Sequence, residues 1–323
     1  MNPSPESPAP RDRPAFPEIP TAAGTAAADV PYVPQEPGWP HGARCAVVVT
    51  IDVDGDLPFL ALDPGHRDRL KSRSVGQYGP DHGAARLLRV LERLGLAASW
   101  FVPGAIARQY PELLRSVLQS GHELAGHGMH HLDFDGLGLE AQLAEMLEGA
   151  RALQEVSGVE VRGFRTPSGE WKSGFPEAMA AAGFQWSSSL PGDDRPFPLG
   201  DTGVMELPFR YELEDLQYLG FNLDPPFPPG QSRIQSLEAV RDNWDVEFAA
   251  ARRFGTVLTL RLNAEIMGTP GRARMLEDFL SSTIASGEAW IATCGELAAH
   301  WAGQPVEADH PYRRFLELAA RES

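Results

Sequence analysis

The chain has 323 residues, of which 42% are hydrophobic and 22% are charged, and its formal net charge is −16 at pH 7. This length suits one large domain or two medium ones. The acidic balance argues against nucleic acid or an anionic membrane as the main partner, and no stretch is apolar enough to predict a membrane helix. The N-terminus lacks the pattern of a signal peptide, so we expect a cytoplasmic protein.

The N-terminal arm, residues 1–42, is rich in proline and alanine and has little hydrophobic periodicity. This composition predicts disorder, or a strap that crosses the domain through Tyr32 and Trp39. The folded domain is predicted to span 43–302, and a tail covers 303–323. The two cysteines, Cys45 and Cys294, flank predicted strands far apart in the chain, which favours buried thiols over a disulfide.

Strands alternate with helices along the domain, which is typical of a parallel α/β fold. The strands are predicted near 45–52, 97–102, 122–126, 161–165, 184–189, 204–211, 256–262 and 289–293. The helices are predicted near 82–94, 103–121, 139–157, 174–182, 236–254, 271–286 and 295–302. Residues 57–80 and most of 190–235 are rich in proline and glycine and are predicted to be loops. About seven strand–helix units favour a barrel over an open sheet.

Three carboxylates follow directly on the first predicted strand. The run AVVVTIDVDGD, from Ala46 to Asp56, is apolar and β-branched until Asp52, Asp54 and Asp56 end it. Because ionised carboxylates are costly to bury unpaired, they indicate a site at the carboxyl end of the sheet, where parallel α/β folds place their chemistry. A solvated acidic turn is the alternative, since Asp-Gly turns are common.

A histidine cluster, from His127 to His131, stands at the end of the third predicted strand. An aspartate with His-x3-His is a metal-ligand set, and imidazole suits zinc and other first-row divalent metals. Since Asp52 and Asp54 share one side of a strand, one can bind metal while the other takes a proton from the attacking water, which suits hydrolysis. His130 is either a ligand or a surface residue, and His122 is predicted to be structural.

Arg165 ends the fourth predicted strand. In a site rich in acids, an arginine there is predicted to orient a carboxylate such as Asp52 through a bidentate contact. An ordinary ion pair elsewhere is the alternative.

Four motifs in chain order, TIDVDGD, GHGMHH, GFRTPSGEW and LTLRLN, resemble those of the polysaccharide deacetylase superfamily. This superfamily is also described as NodB-homology or carbohydrate esterase 4-like. The segments SVGQYGP, WFVPG, PGDDRPF, MELPFRYELED and DNWDVEF resemble its intracellular branch, which has cyclic-imide hydrolase-like and allantoinase-like members. The resemblance covers 43–302 and implies a distorted (β/α)7 barrel of the NodB-homology type. It also implies hydrolysis of a non-peptide C–N bond.

The resemblance extends to single residues. It implies that Asp52 is the catalytic base and Asp54 a metal ligand, that His127 and His131 are the metal histidines, and that Arg165 positions the base. The implied cofactor is a divalent metal, Zn²⁺ in the first place, and the same ligands also accept Co²⁺, Mn²⁺ or Fe²⁺.

Substrate contacts are assigned to four residues of these motifs, namely Tyr78, Glu170, Trp171 and Asp194. For Trp171 a place in the core is the alternative. For Asp194, which lies in a Pro-Gly loop, the alternative is a solvated turn.

The late strand departs from the family pattern. The family has a histidine at its end, as general acid or oxyanion stabiliser, whereas this chain has Arg261-Leu262-Asn263. Either Arg261 or Asn263 takes that place in the catalytic set, and either could stabilise negative charge, but neither readily gives a proton to a leaving amine. His82 and His130 are the possible replacement acids.

These observations predict a metal-dependent hydrolase of an amide, N-acyl or cyclic-imide C–N bond in a small molecule. Water activated by the metal would be the nucleophile and an aspartate the base. One alternative is a non-hydrolytic metal-binding module of the same fold, and another is an N-acetyl-sugar deacetylase. Neither nucleic acid nor membrane is expected as a partner, and the apolar loops allow a homo-oligomer.

Overall fold

A computed structural model of the protein describes residues 38–220 and 234–304. Nearly all of the predicted N-terminal arm, including Tyr32, lies outside the described residues, as do 221–233 and most of the predicted tail. Trp39 is described and is buried, and its Nε1 donates to the carbonyl of Gly255 over 3.3 Å.

Eight of the nine strands in the described ranges fall at predicted positions, although several are shorter. The ninth, Phe197–Pro198, and a short helix, Asp215–Leu219, lie where loops were predicted. The strands are β1 (Cys45–Asp52), β2 (Ser99–Val102), β3 (Glu123–Gly126), β4 (Gly163–Phe164), β5 (Trp186–Ser187), β6 (Phe197–Pro198), β7 (Met205–Glu206), β8 (Val257–Asn263) and β9 (Ala289–Ala292).

Helices connect and cover these strands. They are α1 (Leu57–Leu62), α2 (Leu70–Tyr78), α3 (Ala84–Leu94), α4 (Gly104–Gln109), α5 (Pro111–Gln119), α6 (Leu139–Ser157), α7 (Phe175–Ala181), α8 (Asp215–Leu219), α9 (Leu237–Phe254), α10 (Ala264–Met267), α11 (Pro270–Ser286) and α12 (Cys294–Ala302). None of the helices in the described ranges is both long and apolar enough to cross a membrane.

The strands of the described ranges form one curled sheet in the order β6-β7-β5-β4-β3-β2-β1-β8. All pairs are parallel except β6 with β7. One side of β1 pairs with β8 along its length, and the other side pairs first with β9 and then with β2. The carboxyl ends of these strands therefore lie at the same edge, where the acids and histidines of the motifs are found.

The gap between the two ends of the sheet is closed by single contacts. Val257 N donates to the Asp194 carbonyl over 3.0 Å, and Thr259 Oγ1 donates to the Pro208 carbonyl over 2.9 Å. An isolated bridge also pairs Glu214 with Arg261. The predicted distorted barrel of the NodB-homology type is thus confirmed, with strand pairing around most of its circumference.

β1 lies at the centre of the core and is buried along its whole length. Ala46 and Val48 belong to a cluster on the inner face of the sheet with Phe101 and Trp186, whereas the residues between them pack under the helices. Because side chains alternate along a strand, the inner face continues toward the carboxyl end to Asp52. Both cysteines are free and buried, as predicted.

The prediction of a loop over 57–80 is wrong. The segment contains α1, α2, a 3₁₀ turn at Pro64–Asp68 and a π-helical turn at Gly79–Gly83. Its prolines begin helices, and Gly76 allows close packing, since a Cβ there would stand 2.1 Å from the Gly55 carbonyl oxygen. In this segment proline begins helices and glycine allows them to pack closely beside the end of β1.

The helix predicted over 103–121 is two helices, α4 and α5. The break falls at Tyr110, with φ −124° and ψ 58°, because the residue before a proline is sterically excluded from the α region.

Candidate active site

Asp54 and two histidines form a buried cluster at the carboxyl end of the sheet. Asp54 Oδ1 is 3.5 Å from His127 Nε2, and Asp54 Oδ2 is 3.4 Å from His131 Nε2. One ligand atom from each residue lies within 4.8 Å of the others. The side chains of Asp54, His127 and His131 are 5%, 0% and 12% exposed. The structure thus brings together the three residues that the sequence predicted as metal ligands.

The chemistry of this cluster fits a divalent cation. In the described structure His127 Nε2 and Asp54 Oδ1 are buried and have no hydrogen-bond partner, which is costly unless a ligand satisfies them. Burial lowers the pKa of His127 to about 4, against the opposing effect of Asp54, so its imidazole is neutral. Neutral imidazole nitrogen and carboxylate oxygen are the donors that first-row divalent metals take.

The backbone around the histidine loop fixes the direction of the His127 ring. His127 Nδ1 lies 2.8 Å from the Arg165 carbonyl oxygen, so Nδ1 carries the hydrogen and the lone pair of Nε2 faces Asp54. The amides of Gly104 and Ala105, at the start of α4, donate to the carbonyls of Gly128 and Met129 over 2.9 Å each.

Glu145 of α6 also holds the histidine loop. Its Oε2 accepts from the amides of Met129 and His130 over 3.0 and 2.9 Å, and its Oε1 lies 3.0 Å from His130 Nδ1. His130 is thereby directed to α6 and away from the metal cluster. Sequence analysis missed Glu145, because nothing in a helix repeat marks one carboxylate as the partner of a distant loop.

Asp52 is fully buried and is held by two arginines. Arg165 Nη1 donates to Oδ1 over 2.7 Å, and Arg261 Nε donates to Oδ2 over 3.1 Å. Burial alone would raise the pKa of Asp52, but the two guanidinium groups outweigh it and hold the pKa well below its usual range. Asp52 is therefore an ionised carboxylate of fixed orientation beside the metal cluster.

The predicted bidentate contact of Arg165 with Asp52 is not formed. Arg165 divides its donors instead, with Nη1 also reaching Thr50 Oγ1 over 3.0 Å and Nε and Nη2 donating to Ser188 over 2.9 Å each. The segment after β5 supplies these acceptors, so a second region of the chain fixes the arginine.

The end of β8 supplies the second arginine. Arg261 is level with Thr50 and Asn263 with Asp52 in the parallel register. Arg261 Nε also lies 3.4 Å from Glu214 Oε1. Arg261 therefore stands next to the predicted base, and the assignment of the family histidine's place to Arg261 or to Asn263 stays a prediction.

Asn263 is committed to a different carboxyl group. Its backbone N donates to Asp215 over 3.0 Å, and its Nδ2 donates to Asp215 Oδ1 over 2.7 Å. Asp215 and Glu214 both belong to the motif MELPFRYELED, so their sequence signal was present but their role depends on the neighbouring β8.

Tyr78 and Trp171, both predicted substrate contacts, lie in segments at the carboxyl edge. Tyr78 ends α2, and its hydroxyl accepts from Arg86 Nη1 over 2.8 Å. Trp171 follows the end of β4 and donates to Thr166 Oγ1 over 2.6 Å, while its ring packs on Phe175 at 5.2 Å between centroids. The alternative that Trp171 belongs to the core therefore applies to the part of its ring that packs on Phe175.

Glu170 and Asp194, the other predicted substrate contacts, are both exposed. The backbone N of Glu170 donates to Asp135 Oδ1 over 2.8 Å. Asp194 lies at the opposite edge of the sheet, where its carbonyl accepts from the first residue of β8. The structure does not bring it to the cluster.

Two further histidines named in the sequence analysis, His122 and His82, are not part of the cluster. His122 Nδ1 accepts from the amide of Ala98 over 3.2 Å, the structural role that was predicted. His82 is exposed on the π-helical turn, with its ring 5.3 Å from that of Tyr78.

Fold and site together define an α/β deacetylase-like barrel with a candidate divalent metal centre, and comparison with known proteins gives the family. The model of the polysaccharide deacetylase family matches residues 77–187. A crystal structure of a candidate polysaccharide deacetylase from Mycobacterium smegmatis is 33% identical with a TM-score of 0.79, over 86% of this chain and 99% of that one. This chain belongs to the polysaccharide deacetylase family, as its motifs predicted.

More distant relatives agree with this family. A peptidoglycan deacetylase-like protein of Gibberella zeae is 27% identical over 65% of this chain and 61% of that protein. The match spans 49% to 61% of the first curated relatives, which are named as deacetylases of peptidoglycan or chitooligosaccharide. The crystal structure of the allantoinase PuuE is 22% identical with a TM-score of 0.69, over 87% and 96% of the two chains. At that identity it shows the shared fold, and the allantoinase-like branch stays a prediction.

Proposed function

We propose that this protein is a metal-dependent hydrolase that cleaves a non-peptide C–N bond in a small molecule, such as an N-acyl group, a cyclic imide or a ureide. The observation that carries the proposal is the buried cluster of Asp54, His127 and His131, which stands beside the ionised Asp52. Relatives named as deacetylases also support hydrolysis of an amide bond.

Asp54, His127 and His131 would hold the metal, and three protein ligands leave positions open for water and substrate. The bound cation would lower the pKa of water and polarise the carbonyl group of the substrate. Zn²⁺ is the first choice for this donor set, although Co²⁺, Mn²⁺ and Fe²⁺ accept the same ligands.

Asp52 would take the proton of the attacking water. A general base must be ionised and correctly oriented, and the hydrogen bonds from Arg165 and Arg261 favour the ionised form of Asp52 and fix its orientation. Arg261, which contacts Asp52, would also place a positive charge near the reacting carbonyl, where negative charge develops in the tetrahedral transition state.

The burial of the cluster favours a small substrate. Its most exposed ligand side chain, His131, is only 12% exposed, so the reacting group must enter a recess. A deacetylase of an N-acetyl sugar is the second candidate, and the names of the curated relatives favour it. A barrel that binds metal without hydrolysis is the remaining alternative.

The test combines metal analysis with turnover. We expect about one equivalent of metal in the purified protein, and hydrolysis of at least one of three probe classes: cyclic imides, ureides and N-acetyl amines including N-acetylglucosamine oligomers. His127→Ala should lose both the metal and the activity, whereas His41→Ala, at an exposed histidine far from the cluster in the sequence, should keep both.

Each outcome separates the candidates. Turnover of the sugar oligomers in preference to imides and ureides would favour the sugar deacetylase. Stoichiometric metal without turnover of any probe would favour the binding module, and a protein without affinity for divalent metal would rule out the proposed centre.

A further inference from the structure

Glu265 presents an unused carboxyl group at the edge where the cluster lies. It stands in the first turn of α10, which follows β8 directly, and Asn263 two residues earlier is level with Asp52. Its Oε2 is buried and has no hydrogen-bond partner in the described structure. Gly79 makes room for this group, since a Cβ there would stand 3.1 Å from Glu265 Oε2.

The charged neighbours that act on Glu265 are carboxyl groups, namely Asp54 and Asp52 from the end of β1 and Asp215 from α8. Among the described residues, no arginine, lysine or histidine forms a hydrogen bond or ion pair with it. On the π-helical turn that packs against α10, Asp81 and His82 are exposed. Burial and the neighbouring negative charge of Asp54 both raise the pKa of Glu265, because each opposes ionisation of a carboxyl group.

Breaking a C–N bond requires a proton on the nitrogen, because an amine anion is a poor leaving group. The side chains nearest to Asp52 in the strand register do not readily supply one. Arg261 stays charged, the Asn263 amide is not an acid, and Asp52 is held ionised by two arginines. Burial also raises the pKa of Asp215, but Asn263 donates to both of its oxygens, whereas Glu265 Oε2 has no partner in the described structure.

Resting on the proposed hydrolase function, we propose that Glu265 is a catalytic residue that donates its carboxyl proton to the leaving nitrogen. As the C–N bond breaks, its electron pair goes to the nitrogen, which takes the proton and leaves Glu265 as a carboxylate. The proton that Asp52 took from the attacking water then restores Glu265 through solvent, so the cycle balances without any redox change.

A matched pair of substrates tests the proton transfer. The amide 4-nitroacetanilide and the ester 4-nitrophenyl acetate share the acyl group and the ring, but 4-nitrophenolate leaves as a stable anion and needs no proton. We expect Glu265→Gln to lower kcat/KM for the amide about 10²- to 10⁴-fold and to leave the ester rate close to wild type. Glu277→Gln, on α11 in a surface ion pair with Arg93 of α3, is the control that should change neither rate.

Metal affinity, measured by titration calorimetry, supplies the second readout. Glu265→Gln should bind the metal as the wild type does, and Glu265→Asp, which keeps a carboxyl group, should regain part of the amide rate. An equal loss on both substrates, an unchanged amide rate or a loss of metal affinity would each overturn the role of Glu265. A wild-type protein that cleaves only the ester would also contradict it, whereas one that cleaves neither substrate and no probe would overturn the hydrolase itself.

Discussion

Buried carboxyl groups are treated in opposite ways at the end of β1 and at the segments around the end of β8. At β1, Asp52 lies between two arginines and Asp54 faces two histidines. Around β8, Asp215 accepts hydrogen bonds from the neutral Asn263, and Glu265 has a buried oxygen without a partner among the described residues. Both regions are close enough to act on each other electrostatically, since Asp52 contributes to the pKa of both Asp215 and Glu265.

The difference separates the charge states of groups that are chemically alike. Arginine partners hold the pKa of Asp52 well below its usual range, whereas burial raises the pKa of Asp215 to about 7 and that of Glu265 well above its ordinary value. A site that runs acid and base chemistry at one pH needs this separation. Two kinds of mutation test whether the protein uses this difference in pKa. One removes Asp52 or an arginine that holds it, and the other replaces a carboxyl group near β8 with an amide that cannot ionise.

The largest effect is expected from Asp52→Asn. Loss of the base should lower kcat/KM about 10²- to 10⁴-fold, while metal binding by the neighbouring residues persists. Turnover and calorimetric metal titration on the same sample measure both quantities. Asp245→Asn, at an exposed ion pair on α9, is the control for a lost carboxylate. Retention of full activity by Asp52→Asn would show that the base lies elsewhere.

Arg165→Met should follow, with an effect on stability. It removes a fully buried guanidinium and leaves Asp52 with one partner, so we expect the free energy of unfolding to fall by about 3–5 kcal/mol. Denaturant unfolding measures this change. Arg162→Met is the matched control, because Arg162 lies three residues before Arg165 in the sequence, is exposed and pairs with the exposed Glu160. Similar losses in the two variants would mean that the buried contacts of Arg165 contribute little.

Local sequence pattern accounts for the parts of this site that were predicted. The apolar run of β1 placed Asp52 and Asp54 at the end of a strand, and the spacing of His127 and His131 indicated a pair of metal ligands on one loop. Each of these features depends on residues that are close together in one strand or one loop, so the local sequence is enough to predict it.

The missed features depend on which strands become neighbours. Arg261 was assigned to the catalytic set, but its contact with Asp52, across 209 residues of sequence, was not predicted, because β8 pairs with β1 in a register that no local pattern specifies. The helical layer over 57–80 was missed because its glycines look like loop residues. Gly76 is instead required for contact with Gly55, a reason visible only when the two segments pack.

The pH dependence of stability tests the protonated side of the comparison. Burial raises the pKa of Asp215 to about 7, against the hydrogen bonds from Asn263. The unfolded chain loses this proton near the ordinary value of 3.8, whereas the folded protein keeps it to about pH 7. The free energy of unfolding should therefore fall as pH rises through this window, by up to about 1.4 kcal/mol per pH unit for this group.

Asp215→Asn cannot ionise and should lack this part of the slope. Unfolding curves of both proteins at a series of pH values give the difference between their free energies of unfolding. This difference should change between about pH 4 and pH 7 and become constant above that range. Asp245→Asn should follow the wild type throughout. Parallel curves for Asp215→Asn and wild type would mean that Asp215 is already ionised in the folded protein.

The smallest effect is expected from Asp194→Asn, which tests whether chemistry is confined to one edge of the sheet. The carbonyl of Asp194 accepts a hydrogen bond from Val257, the first residue of β8. Asp194 also lines a cavity of about 150 Å³ with Arg210 and Glu247. Six residue steps along β8 separate this point from Asn263, which is about 20 Å at the rise of a strand. A side chain at that distance does not touch a small substrate held at the cluster, so kcat and KM should match the wild type. A rise in KM with unchanged kcat would instead mean that the substrate reaches around the barrel, which a long sugar chain could do and a cyclic imide could not.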